Sequence, residues 1–187
     1  MSMIHYTSSI PDYTDEINKM LKEKEKKFSY YKSYKDNINE SIMYGPEDCS
    51  SKTGFIMGTE IAKYYAFKKE VETRGPMDFK ESNIWKEAFG PNVPQVPLFI
   101  YNGEVMDSAT LGNVAYGYLG TYLEIPEKVL YIGGGFVNVR NINPWYLLAW
   151  NYLPNYGEAP EDIEAINKGI NLYKSMNSNM SDCETSK

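Results

Sequence analysis

Apolar residues recur at helical spacing along most of the chain. Ile17, Met20, Leu21 and Phe28 fall on one helical face. Ahead of them, Asp12 or Thr14 is suited to accept hydrogen bonds from the first free N–H groups of a helix. The pattern continues or restarts through Tyr31, Tyr34, Ile38 and Ile42. Turn formers across 45–51 predict a loop. A second helix is predicted over 56–74, with Ile61, Tyr64, Tyr65, Lys68 and Val71 at helical spacing and Gly75-Pro76 ending it. A short third helix is predicted over 82–89, capped by Ser82 and packed through Ile84, Trp85, Ala88 and Phe89.

The period then changes. Pro91, Pro94 and Pro97 forbid regular helix. Leu98-Phe99-Ile100-Tyr101, then Asn102-Gly103, then Glu104-Val105-Met106-Asp107 predict a β-hairpin, because Asn-Gly accepts the positive φ angles of a two-residue turn. Beyond it, 110–124 is rich in glycine and aromatic residues. Pro126 is suited to be the first residue of a helix bearing Val129, Leu130, Ile132 and Phe136. A short aromatic segment follows at 144–150. Ala159-Pro160-Glu161-Asp162 opens a last helix with Ile163, Ile166, Ile170 and Tyr173 on one face, its early acids matching the positive helix end. The polar stretch 177–187 reads as a disordered tail.

The expected fold class is therefore predominantly α (α+β), a single domain of about five to seven helices with a small hairpin near 98–107. Its expected organisation is a helical N-terminal extension over 1–55 packed on the domain, the domain itself over 56–176, and the tail.

Composition narrows the chemistry. With 187 residues the chain can bury one sizeable core, and 17 tyrosines offer many rings for half-buried positions. A net charge of −6 repels phosphate backbones at long range. The densest basic run, lysines 19, 22, 24, 26 and 27, is interleaved with Glu23 and Glu25 and reads as a solvated helix face. His5 is the single histidine, and Cys49 and Cys183 are the only cysteines. That argues strongly against Ser-His-Asp and Cys-His catalysis, a histidine general base and a histidine-based zinc site, and no disulfide framework can be read from two cysteines so placed. No stretch reaches the ~20 apolar residues of a membrane span, so no membrane insertion is expected. The start of the chain lacks a secretory pattern. Synthesis in the cytoplasm is expected, with any export by a specialised or non-classical route.

Glycine marks the place where special chemistry is expected. Gly112, Gly117 and Gly120, with Gly133 to Gly135 beyond, each weaken a helix by roughly 1 kcal/mol relative to alanine. Close backbone packing, positive φ or room for a ligand must offset that cost. The triple glycine lacks a dinucleotide fingerprint and a βαβ setting. Ser51-Lys52-Thr53 lacks the glycine and preceding strand of a phosphate loop. No cofactor and no metal are expected.

Four blocks, in order, resemble the bacterial polymorphic toxin type 44 domain. The first is Tyr65-Ala66-Phe67-Lys68-Lys69-Glu70-Val71 leading through Gly75-Pro76 to Asp78-Phe79-Lys80. The second is Leu111-Gly112-Asn113 to Tyr116-Gly117 and Gly120; the third is Val129-Leu130 to Gly133-Gly134-Gly135. The last is Pro160-Glu161-Asp162 to Ile166 and Lys168-Gly169-Ile170. The chain departs from the family pattern at Thr110, Glu124 and Asn138, with Asp107 close enough to stand in for the acid absent at 110.

The resemblance implies a toxin module used in bacterial competition, provisionally a metal-independent hydrolase acting on RNA, and it brings the expectation of a cognate immunity protein. In that reading Asp78 or Asp107 is the base, Lys80 and Arg140 hold phosphate, and Asn113 and Tyr116 position the substrate, with Gly112, Gly117, Gly120 and Asn138 lining its site. Each residue also has a plain structural role: Asp78 capping a turn, Asn113 capping a helix, Tyr116 packing its ring, Asp162 completing a helix N-terminus. A second reading is a peptidoglycan glycosidase with Asp107 and Glu124 as paired carboxylates, which suits an acidic, aromatic-rich chain. A third is a non-catalytic binding or immunity-like relative.

Overall fold

The computed structural model describes residues 9–44, 49–142 and 154–184, with side chains for 9–32, 58, 60–135 and 156–177. The elements run α1 (Thr14–Tyr44), α2 (Cys49–Val71), α3 (Ser82–Phe89), β1 (Phe99–Tyr101), β2 (Glu104–Met106), α4 (Ser108–Tyr122), α5 (Glu127–Ile142), a 3-10 turn (Pro154–Gly157) and α6 (Pro160–Glu184). The fold is mostly helical with one small antiparallel sheet, as the periodicity predicts. No helix among the described residues is long and apolar enough to cross a membrane.

α1 starts where Asp12 accepts the Thr14 N–H at 2.9 Å. It buries Ile17, Met20, Leu21 and Phe28, the face its spacing predicts. Electrostatics then fix it to α2. Glu70, 3% exposed, receives the ammonium groups of both Lys24 and Lys27 from α1. A carboxylate removed from water needs such partners to offset its desolvation.

The segment ahead of α1 also joins the sheet. The Ile100 N–H donates to the Pro11 carbonyl at 2.8 Å, and the Tyr13 N–H donates to the Ile100 carbonyl at 2.9 Å. Asn102, at the hairpin turn, donates its N–H to Thr14 Oγ1 at 2.9 Å. The turn itself has φ of 50° at Asn102 and 80° at Gly103, the two positive values the hairpin requires. On the inner face Phe99, Tyr101 and Met106 are buried, and the Phe99 ring packs on Tyr13 and Trp85.

α4 is the central element, burying Leu111, Val114, Ala115, Tyr118 and Leu119. α6 packs along it in the same direction: Asn113 meets Asp162, Gly117 meets Ile166, and Tyr118 meets Tyr173. Two glycines set the close approach from opposite sides. A Cβ on Gly117 would overlap the Ile166 carbonyl, and one on Gly169 would overlap the Val114 carbonyl.

Several element ends differ from expectation. Residues 49–51, expected in a loop, form the first turn of α2. α2 stops at Val71, and the chain reverses through Arg74 at φ 61°. Ser82 is the first helical residue of α3, with Glu81 at the cap position and making no side-chain cap bond. Asn113 lies inside α4, whose cap is Asp107. Helix continues to Glu184, past the point where a disordered tail was expected. Between Gly169 and Glu184 there is no further glycine and no proline to end it. The aromatic segment 144–150 lies outside the described residues.

Candidate functional site

Three of the four family-like blocks meet the remaining one, on α4. The 75–80 turn lies beside Gly112, where an added Cβ would stand 3.6 Å from the Met77 carbonyl. One residue on, Asn113 Nδ2 donates to Asp162 Oδ1 at 2.7 Å, joining α4 to the first turn of α6. One turn further, Tyr116 donates its hydroxyl to the Leu130 carbonyl of α5 at 2.8 Å, and its ring packs on Phe67 with centroids 5.2 Å apart. Segments far apart in sequence thus converge on Asn113 and Tyr116.

The triple glycine supplies the wall opposite Tyr116. A Cβ on Gly133 would stand 2.7 Å from the Tyr116 hydroxyl, one on Gly134 would stand 2.5 Å from Glu158 Oε2, and one on Gly135 would overlap the Tyr156 carbonyl. Successive in the helix, these glycines bare a broad arc of α5, so that a phenol, a carboxylate and a turn of main chain can each approach its backbone. Glu158 is the carboxylate so placed. It follows the 3-10 turn, precedes α6, and is only 9% exposed. Burial first, and the charge of Glu158 second, push the Tyr116 phenol well above its ordinary range. Tyr116 is therefore a neutral hydroxyl donor at any ordinary pH. The centre of the site is Asn113, Tyr116, Glu158 and Asp162, carried on α4 and the mouth of α6 with α5 as its wall.

The other predicted residues are placed differently. Asp78 accepts the Arg74 N–H at 2.9 Å and so holds the tight turn after α2, while Lys80 is exposed two residues later. Asp107 accepts the Thr110 N–H at 2.8 Å as the α4 cap; that bond, the largest cause, holds its carboxyl below the ordinary range. Asp107 and Glu124 fail as paired carboxylates. They flank the two ends of one 15-residue helix, about 22 Å long, whereas paired glycosidase carboxylates stand roughly 5–9.5 Å apart. Gly117 is filled by Ile166, and an added Cβ at Gly120 would run into the Leu130 side chain, so packing alone accounts for both. The side chains of Asn138 and Arg140, on the second half of α5, lie outside the described residues.

Glu158 was missed by sequence reading because Tyr156-Gly157-Glu158 has no helical or strand period. The available signal was indirect: three successive glycines in a helix require a large group beside them. No group of three or more His, Cys, Asp or Glu side chains converges as a metal site among the described residues. Compared with family models, with curated proteins and with solved structures, the chain matches none.

Proposed function

We propose that this chain is a metal-independent glycan hydrolase, with bacterial cell-wall peptidoglycan as its substrate class and Glu158 and Asp162 as its two carboxylates. The observation that carries the reading is the placement of those acids on either side of the entry to α6: Glu158 ahead of the helix, buried against the α5 glycines, and Asp162 in its first turn, held by the Asn113 amide. Glycoside cleavage asks for this division of labour, one carboxyl group delivering a proton to the leaving oxygen and the other acting on the anomeric carbon or on water. Glu158, enclosed, takes the first role; Asp162, half-buried and oriented by Asn113, takes the second. The bond to be cleaved is an uncharged acetal, so the reaction needs no phosphate-binding positive field, and a chain of net charge −6 can carry it out.

The toxin resemblance supplies the biological setting, in which the protein reaches the wall of a competing cell by a specialised route and is held in check by a cognate immunity protein.

The deciding experiment incubates the purified full chain with peptidoglycan sacculi and, separately, with total RNA. New reducing sugar ends from sacculi, with intact RNA, support the glycan reading. Cleaved RNA and unchanged sacculi replace it with the RNA reading, and no reaction on either leaves a binding protein.

A further inference from the structure

A seam between α5 and α6 leads away from the two proposed carboxylates. The helices run antiparallel along it: Glu127 meets Lys174, Tyr131 meets Asn167, and Gly134 meets Ile166 and Glu158. Tyr131 and Gly134, three positions apart, share one face of α5. The Tyr131 ring therefore stands one turn from the wall on which Glu158 lies. On α6, Ile163 directly follows Asp162 and shares a face with Asn167, four positions on. Asp162, Ile163, Asn167 and Tyr131, all half-exposed, mark a track from the carboxylate to the seam.

On that track the Tyr131–Asn167 contact uses only half of the asparagine. The Tyr131 hydroxyl donates to Asn167 Oδ1 at 2.6 Å, and the ring packs on the edge of the core. Held at its tip and along its side, the ring is a fixed, half-exposed platform. The bond accounts for the oxygen of Asn167 and not for its amide nitrogen, which bonds to no group among the described residues. Joining α5 to α6 needs no such donor; an apolar pair would do it. The open Nδ2 thus sits beside two apolar groups, the Tyr131 ring and Ile163.

A sugar ring offers its C–H face to an aromatic platform, and a 2-acetamido sugar adds a carbonyl acceptor and a methyl group. Taking its substrate class from the glycan hydrolase reading, the geometry points to Tyr131 and Asn167 as the residues that select N-acetylated sugars. The Tyr131 ring carries the sugar, Asn167 Nδ2 donates to the acetamido carbonyl, and Ile163 meets the methyl. Asp162 and Asn167 are five positions apart on α6, about 7.5 Å along its axis. The selected sugar is therefore the neighbour of the one attacked, and the two residues bind and position substrate without touching the bond that breaks.

The test measures calorimetric binding of an N-acetylglucosamine tetrasaccharide and of cellotetraose, which has hydroxyls in place of the acetamido groups. The protein is the full chain carrying Glu158→Gln, so that neither sugar is turned over. Asn167→Asp, added to it, removes the donor and keeps the oxygen that holds Tyr131; Tyr131→Ala removes the platform. Thermal unfolding verifies each fold. The expected result is binding of the N-acetylated sugar at least about fivefold tighter than cellotetraose, a preference lost in Asn167→Asp while cellotetraose binding stays the same. Both sugars should weaken about fivefold or more in Tyr131→Ala. No binding of either sugar, equal affinity for the two, or a preference unchanged in Asn167→Asp would overturn the inference. Cleavage of sacculi by the parent chain is read separately. Sacculi left intact while the N-acetyl preference holds would overturn the hydrolase reading and leave the sugar site standing; sacculi cleaved with no such preference would do the reverse.

Discussion

The Asn113 amide and the Asp162 carboxylate, 49 positions apart in sequence, meet at 2.7 Å across the α4–α6 contact. The bond ties the middle of one helix to the first turn of another and fixes the carboxylate that the proposed reaction uses. Asn113→Ala removes the donor and leaves Asp162 free to turn. The expected cost is about 1.5–3 kcal/mol of stability at most, the range for hydrogen bonds to charged groups. Activity on sacculi should fall mainly in kcat, because the substrate-binding surface remains. Unchanged kcat in a folded Asn113→Ala protein would remove Asn113 from the site.

The glycine seam makes a prediction independent of activity. Gly117→Ala and Gly169→Ala each place a methyl group into a facing main-chain carbonyl, and backbone cannot yield as a flexible side chain does. Each should destabilise by roughly 1–3 kcal/mol or more. Gly58→Ala, at an exposed position of α2 with nothing within 4 Å of the new methyl, should instead stabilise by about 0.5–1 kcal/mol. Urea unfolding of the three variants checks both signs.

The contact between α1 and α2 depends on Glu70. Glu70→Ala leaves Lys24, only 15% exposed, without its partner. A loss of about 3 kcal/mol is expected, the lower end for breaking a buried pair, since Lys27 is 56% exposed and regains water easily. Lys27→Ala should cost well under 1 kcal/mol for the same reason. Equal effects of the two variants, read by thermal unfolding, would contradict this division.

The α4 cap gives a pH dependence with a defined sign. The folded-state pKa of Asp107 lies below its ordinary 3.8. Its charged form therefore adds stability that is fully present above about pH 5 and lost as pH falls through the folded value. Asp107→Ala should cost about 1 kcal/mol at pH 7. The gap between wild type and variant should narrow below pH 3.8. A gap constant from pH 7 to pH 3 would show that the carboxylate charge contributes nothing to the cap.

Local features were legible in the sequence, and long-range ones were not. The hairpin followed from Asn102-Gly103 between apolar runs, and α3 from the spacing of Ile84, Trp85, Ala88 and Phe89, because neighbours in sequence decide both. α4 was harder to read as one helix. Its glycines lower helix propensity, and only the carbonyl of Ile166, far along the chain, shows why Gly117 is tolerated. Asn113 looked like a cap because short amides favour helix ends; its actual partner is Asp162. The same limit hid Glu158, which becomes conspicuous only when α5 and the start of α6 are brought together.

The roles of Glu158 and Asp162 are tested by release of reducing ends from peptidoglycan sacculi by the full chain, by Glu158→Gln and by Asp162→Asn, with thermal unfolding of each. Both substitutions keep shape and an acceptor oxygen while removing the carboxylate. Activity in the parent and a loss of at least about a hundredfold in each folded variant are expected, the scale of general acid–base catalysis. Parental activity retained in folded Glu158→Gln would contradict its role.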